Sequence, residues 1–183
     1  MAPVEPVGAC GEGGPCITFA SSGTYTGNLG GLVGADAICN QLAGEAGLPG
    51  TYMAWLSDRS VGGSPAQRFA TRSSGPYQLV NGTRVVANWN DLVDGTLAHA
   101  IDLDENGNPA DSDPDEAVWT ATTSAGGHSG WGNPLDDCDG WTIGTSDGEG
   151  MIGLYFQTDG RWTNVGGVQT CEKRNLIYCF QQS

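Results

Sequence analysis

"GRWTNVGGVQTCEKRNLIYCFQQ", residues 160–182, holds two cysteines, Cys171 and Cys179, with seven residues between them, and the second is flanked by Tyr178 and Phe180. The run "NLIYCFQ" is dense in branched and aromatic residues and reads as a closing strand. "RWTNV" and the upstream "GMIGLYFQ" read as two more. A strand carrying a cysteine invites a distant partner, and four other cysteines are available: Cys10, Cys16, Cys39 and Cys138.

Cys39 lies in "TYTGNLGGLVGADAICNQLA", residues 24–43, where Ala35, Ile38, Cys39, Leu42, Ala43 and Ala46 recur at helical spacing. The spacing predicts a helix of about three turns with Cys39 on its buried face, stopped by Gly47 and Pro49. Glycines 27, 30, 31 and 34 precede it without the Lys and Ser/Thr of a phosphate-cradling loop or a βαβ rhythm. They read as letting a first strand, in "ITFASSGTY", turn tightly into the helix, with Asp36 favourable in the first helical turn. "YMAWLS" reads as a buried strand and "SPAQRFAT" as a short second helix with Ser64 at its N-cap and Pro65 at its first position. "YQLVNGTRVVANW" reads as two β-prone runs around Asn81-Gly82, and "AVWTAT" as a further strand. Residues 121–150 are Gly- and Asp-rich and lack periodicity.

The whole chain has 183 residues, 30 of them glycine and 9 proline, which fits one loop-rich domain. Residues 1–9 read as a Pro-rich leader of a mature chain, without the charged and apolar regions of a signal peptide, ahead of a single domain over 10–183. Seven basic against 21 acidic residues give a net charge of −14. That surface repels nucleic acid and anionic lipid and suits cations or basic partners. No run approaches the roughly 18 apolar residues of a spanning helix, so membrane insertion is excluded. An even number of widely spaced cysteines, no CxxC, and only His99 and His128 as other soft ligands favour disulfides and an oxidising compartment over zinc.

Together these motifs resemble the C-type lectin-like superfamily, an α+β fold whose four-cysteine frame closes with a Trp, a cysteine and a second cysteine among aromatics. More narrowly, "GNLGGLVGADAIC", "AWLSDRS", "PYQLVNGTRVVANWNDL" and "VWTAT" are similar to a largely uncharacterised bacterial surface-protein family within it, related in shape to collagen-derived endostatin. The resemblance implies Cys39–Cys179, joining helix to last strand, and Cys138–Cys171, pinning the long loop; Cys10 is then left with Cys16. It also implies one main N-terminal helix, antiparallel strands and a long loop region that carries the binding residues.

Two candidate cation sites follow. In "DLDENGNPADSD", Asp102, Asp104 and Asn106 fall at positions 1, 3 and 5 of an EF-hand-style loop, Gly107 at 6, Asn108 at 7 and Asp113 at 12. Calcium held there would brace the scaffold; the other reading is a solvated acidic hairpin turn on Asn106-Gly107. Sugar-binding C-type lectins ligate calcium around a loop proline and with a Trp-Asn-Asp triplet. The corresponding triplets here are Asn133-Pro134-Leu135 and Trp162-Thr163-Asn164, so Asn133, Asp136, Asp137 and Asn164, with Trp131 as a stacking platform, form the expected ligand-binding set. Trp55, Trp89, Trp119 and Trp162 are expected in the core, and Trp141 as packed near Cys138. His128, in "AGGHSG", reads as a loop residue, and no nucleophile elbow accompanies either histidine. The expected function is that of an extracellular or surface-displayed recognition or adhesion module, not an enzyme, for a glycan or protein ligand. The alternative is a self-associating subunit of an extracellular assembly.

Overall fold

The computed structural model describes residues 8–111, 117–130 and 136–183. The fold is α+β, and the C-terminal stretch forms an interior strand of the larger sheet. Strand β8 (Tyr178–Gln181) is hydrogen-bonded on one side to β1 (Cys16–Ala20) and on the other to β2 (Tyr52–Ala54), both antiparallel. β1 continues in parallel to β3 (Tyr77–Gln78), which pairs with β4 (Arg84–Val86) around the Asn81-Gly82 turn, giving the order β2-β8-β1-β3-β4. A second sheet, β5-β6-β7, is antiparallel and consists of Ala117–Trp119, Glu149–Leu154 and Val168–Thr170.

Because successive side chains of a strand point to opposite faces, a strand buried on both faces feeds two cores. β8 does this: Tyr178 and Phe180 join Trp55, Phe69, Tyr77 and Trp162 on one side, while Ile177 and Cys179 join Phe19, Tyr52, Trp119 and Trp141 on the other. The first core is an aromatic stack, with Trp55 centred 5.0 Å from Trp162 and 5.4 Å from Phe180. The Trp55 indole N–H donates to Thr163 Oγ1 at 2.7 Å, whose own hydroxyl donates to Thr122 O at 2.8 Å, so the buried indole has a partner.

Helix α1 (Gly31–Glu45) buries Ala35, Cys39 and Ala43 at four-residue spacing, the stripe its sequence predicts. It ends as expected at Gly47 (φ +72°), where the Gly47 N–H reaches Gly44 O and the Leu48 N–H reaches Ala43 O, a Schellman closure. It begins three residues earlier than Gly34, at Gly30 and Gly31, both with positive φ. Asp36 is therefore in the second turn and not at the positive end of the helix. Its carboxylate forks onto the Arg68 guanidinium (2.8 and 3.1 Å) and accepts the Ala54 N–H at 2.8 Å.

That contact protects an edge. β2 is the outer strand of its sheet, yet its outward backbone groups are taken by side chains: Asn40 accepts the Tyr52 N–H (2.8 Å) and donates to Tyr52 O (2.9 Å), Asp36 takes the Ala54 N–H, and Arg68 donates to Ala54 O. Edge strands left open recruit other chains; helix side chains close this one.

The three bridges are Cys10–Cys16, Cys39–Cys179 and Cys138–Cys171, with no free cysteine. Cys39–Cys179 closes a separation of 140 residues, and the chain-entropy account credits such a loop with about 5 kcal/mol. Gly27 is dictated by the Cys138–Cys171 bridge, since a Cβ there would lie 2.2 Å from Cys138 Sγ.

Several expected elements differ. α2 (Pro65–Arg68) begins on Pro65 as predicted, but two further one-turn segments accompany it, α3 (Trp89–Leu92) and α4 (Cys138–Trp141). Trp89 thus opens a helical turn, with Asn88 Oδ1 accepting the Asp91 N–H, and does not continue the hairpin. "RWTNV" is not a strand: Gly160–Trp162 is a 3₁₀ turn, because Asp159 Oδ1 caps the Arg161 N–H and curls the chain. The third strand of that region, β7, comes later, at Val168–Thr170. No helix is long and apolar enough to cross a membrane among the described residues.

Candidate functional site

The irregular segment between β5 and β6 is organised from two anchors. At its start, Thr122 and His128 form an antiparallel bridge around a tight turn in which the Thr123 N–H donates to Gly127 O and the Gly126 N–H to Thr123 O. His128 is therefore an ordered turn residue; its Nε2 is buried without a hydrogen-bond partner, 4.0 Å from Asp137 Oδ2. At its end, Asp136 and Asp137 run beside β6: the Met151 N–H donates to Asp136 O, and Asp137 bridges to Gly150.

Asp137 is the electrostatic pivot. Its side chain is 1% exposed. The carboxylate accepts the Arg59 N–H at 2.9 Å, the Arg59 guanidinium on both oxygens, and the Gly140 N–H at 3.0 Å. Burial alone would raise its pKa, but these hydrogen bonds and the Arg59 charge outweigh burial and hold the carboxyl below its ordinary value. The same contacts raise the Arg59 guanidinium, the Asp137 hydrogen bond first among them.

The pivot fixes an unusual turn. Cys138, Asp139, Gly140 and Trp141 all have positive φ, at 49°, 52°, 67° and 65°. Three of these are not glycine, and each such residue in the left-handed region costs about 1–2 kcal/mol. The turn persists because four constraints hold it: the Cys138–Cys171 bridge, the Asp137 cap on Gly140, the Trp141 N–H donating to Asp137 O at 2.7 Å, and the buried Trp141 indole donating to Ser57 O at 2.8 Å. Asp139 points outward, 61% exposed and 4.0 Å from Arg59.

The expected ligand-binding residues divide. Asp137 is wholly engaged as above, so its carboxylate presents no free oxygen outward; Asp136 is buried. Asn164 is brought to the same segment, with its amide donating to Ser129 Oγ (3.0 Å) and its carbonyl oxygen accepting the Gly166 N–H (2.8 Å). Trp131 and Asn133 lie outside the described residues. Arg59 was not singled out in the sequence, although "AWLSDRS" contains it; a basic residue exposed in a loop carries no local sign of a partner 78 residues away.

The acidic loop adopts the hairpin form. Leu103 pairs with Pro109, Gly107 takes φ +82°, and Asp104 Oδ1 accepts the Asn106 and Asn108 N–H groups at 2.8 and 2.9 Å. Asn108 O, the expected position-7 ligand, accepts the Asp104 N–H at 2.8 Å. Asp102 Oδ1 is buried without a hydrogen bond, 3.7 Å from His99 Nδ1. Asp113 lies outside the described residues. No group of three or more His, Cys, Asp or Glu side chains suited to a metal ion occurs among the described residues. As described, this loop is closed by its own hydrogen bonds. Glu105, which no motif marked, is buried and holds the hairpin down by accepting the Ser22 N–H (2.9 Å) and hydroxyl.

Of the tryptophans expected in the core, Trp55, Trp119 and Trp162 are fully buried, and so is Trp141. Trp89 is a correction: it is only partly buried, because it sits on a surface turn and packs against the core at an angle, with Trp55 and Phe69 each centred 6.0 Å away. No protein-family model matches the chain, and no curated protein matches it.

Proposed function

We propose that the protein is an extracellular recognition module of the C-type lectin-like kind, binding a glycan or a protein rather than catalysing a reaction. The observation that carries this reading is the left-handed turn at Cys138–Trp141, strained yet held by a disulfide, a buried ion pair and a packed indole. Strain maintained by so many constraints concentrates at functional sites, ligand clamps among them, and this turn presents Asp139 and the half-exposed Arg59 guanidinium together. Three disulfides agree with an oxidising compartment, and the acidic surface disfavours nucleic acid. Calcium belongs to this reading only as far as chelation alters binding. A glycan array probed with and without chelator, repeated with Asp139→Ala and Arg59→Ala, tests it. Binding that is weakened by either substitution supports the reading; an empty array together with no captured surface protein refutes it.

The second reading, a subunit of an extracellular assembly, draws on four apolar side chains left at the surface, Val33 and Val61 (82% and 105% exposed), Phe156 and Val168. Sedimentation across a hundredfold concentration range would reveal it as self-association without any glycan.

A further inference from the structure

Trp89, only partly buried, lines a cleft. The cleft is open, about 270 Å³ in volume, and is walled by Arg72, Ser73, Ser74, Asn88, Trp89 and Asn90. Its size lies just under the ~300–1,000 Å³ of pockets for drug-sized ligands, which suits a single ring at a chain end or branch. The indole is backed by Trp55 and Phe69, and its backbone N–H is fixed on Ser73 O at 2.8 Å, so the wall is rigid.

The chemistry of the lining restricts the occupant. A partly exposed indole in a cleft wall favours the C–H groups of a ring or a cation. The Asn90 amide and the Ser74 hydroxyl both donate and accept, as the hydroxyls of a sugar require, while the Asn88 oxygen already caps the Asp91 N–H and leaves its NH2 to donate. Arg72 only donates, and a planar guanidinium is suited to a carboxylate. It is exposed and anchored through Nη1 on Ala66 O. The lining contains no Asp or Glu in a chain that has 21 of them, and the neighbouring Asp91 carboxylate is held on the Ala87 N–H at 2.7 Å. A cationic occupant would meet Arg72, which leaves an anionic or neutral ring.

We propose that this cleft binds a pyranose bearing a carboxylate, a hexuronate residue of a polysaccharide, with Trp89 stacking on the sugar ring and Arg72 receiving the carboxylate. The proposal rests on the glycan form of the recognition reading but uses none of the residues of the Cys138–Trp141 turn.

The test is calorimetric titration, in chelator and low salt, with glucuronate- and galacturonate-containing oligosaccharides and with neutral oligosaccharides of the same linkage. The expected result is saturable binding of an acidic oligosaccharide at least tenfold tighter than its neutral counterpart. Arg72→Gln should abolish that preference, Asn90→Ala should weaken both ligands, and Trp89→Phe should weaken both while keeping the melting temperature close to the parent. Equal binding of acidic and neutral sugars, or binding untouched by Arg72→Gln and Trp89→Phe, overturns the cleft assignment and leaves the Cys138–Trp141 face standing. Absence of binding to any saccharide, here and on the glycan array, overturns this proposal and the glycan form of the recognition reading together.

Discussion

Asp36→Ala removes one side chain and breaks two contacts at a sheet edge. The carboxylate pairs with Arg68 at 2.8 and 3.1 Å and accepts the Ala54 N–H at 2.8 Å. The Arg68 side chain is only 10% exposed, so the substitution strands a nearly buried guanidinium, left with carbonyls of Ala54 and Leu56. Breaking a buried pair from one side costs about 3–5 kcal/mol. Asp36 is itself 22% exposed, so water reaches the site and about 2–4 kcal/mol is expected. For a domain of this size that corresponds to a melting temperature lower by roughly 5–15 °C. Asp36→Asn keeps an acceptor for the Ala54 N–H and should lose less. Asn40→Ala, at an exposed position where water can replace the amide, should cost about 1 kcal/mol. Differential scanning calorimetry of the three variants under non-reducing conditions measures the order. If Asp36→Ala melted within about 2 °C of the parent, or no more readily than Asn40→Ala, the edge would not be held by this pair. Sedimentation adds a second readout, since the double variant Asp36→Ala/Asn40→Ala exposes the β2 edge and should associate with rising concentration.

Other outcomes follow from the same geometry. Arg59→Ala should cost about 1–2 kcal/mol near pH 7 after allowing for screening of a guanidinium that is 40% exposed. Because the Asp137 carboxyl is held below its ordinary value, its contribution is complete above the unfolded pKa of about 3.9 and is lost as pH falls through the lower folded value, so the gap between parent and variant in pH-dependent melting should narrow below about pH 4. A gap that widened on acidification would contradict the pairing. Replacing Cys138 and Cys171 together by Ala should cost about 2–5 kcal/mol and relax the left-handed turn, visible as faster amide exchange at 138–141. Asp104→Ala should lower the melting temperature equally in calcium and in chelator, since Asp104 Oδ1 already serves two backbone N–H groups; a loss seen only in calcium would make the loop an ion site.

What the chain declares locally is borne out where neighbours in sequence are neighbours in space. The Ala35–Cys39–Ala43 stripe, the stop at Gly47, the start of α2 on Pro65 and the Asn81-Gly82 turn depend on contacts within a few residues, so spacing and residue type suffice. The pairing of cysteines was legible only through resemblance, because spacing alone does not select a partner 140 residues distant. The strand reading of "RWTNV" failed because one side chain, Asp159, tips a short β-prone run into a 3₁₀ turn, and Trp89 sits at the margin of the core because Asn88 caps a helical turn there.

The amino-acid sequence by itself determined the acidic charge, the helix with its buried cysteine and most strand positions. Tertiary structure alone decided that the last strand becomes an interior strand of the sheet, between β2 and β1, that Asp36 belongs to Arg68 and Asp137 to Arg59, and that four residues at 138–141 turn left-handed. The physical reason is the same throughout. Hydrophobic periodicity and turn preference act over one or two turns of chain, whereas a buried charge or a strained backbone exists only when segments 32 or 78 residues apart come together to satisfy it.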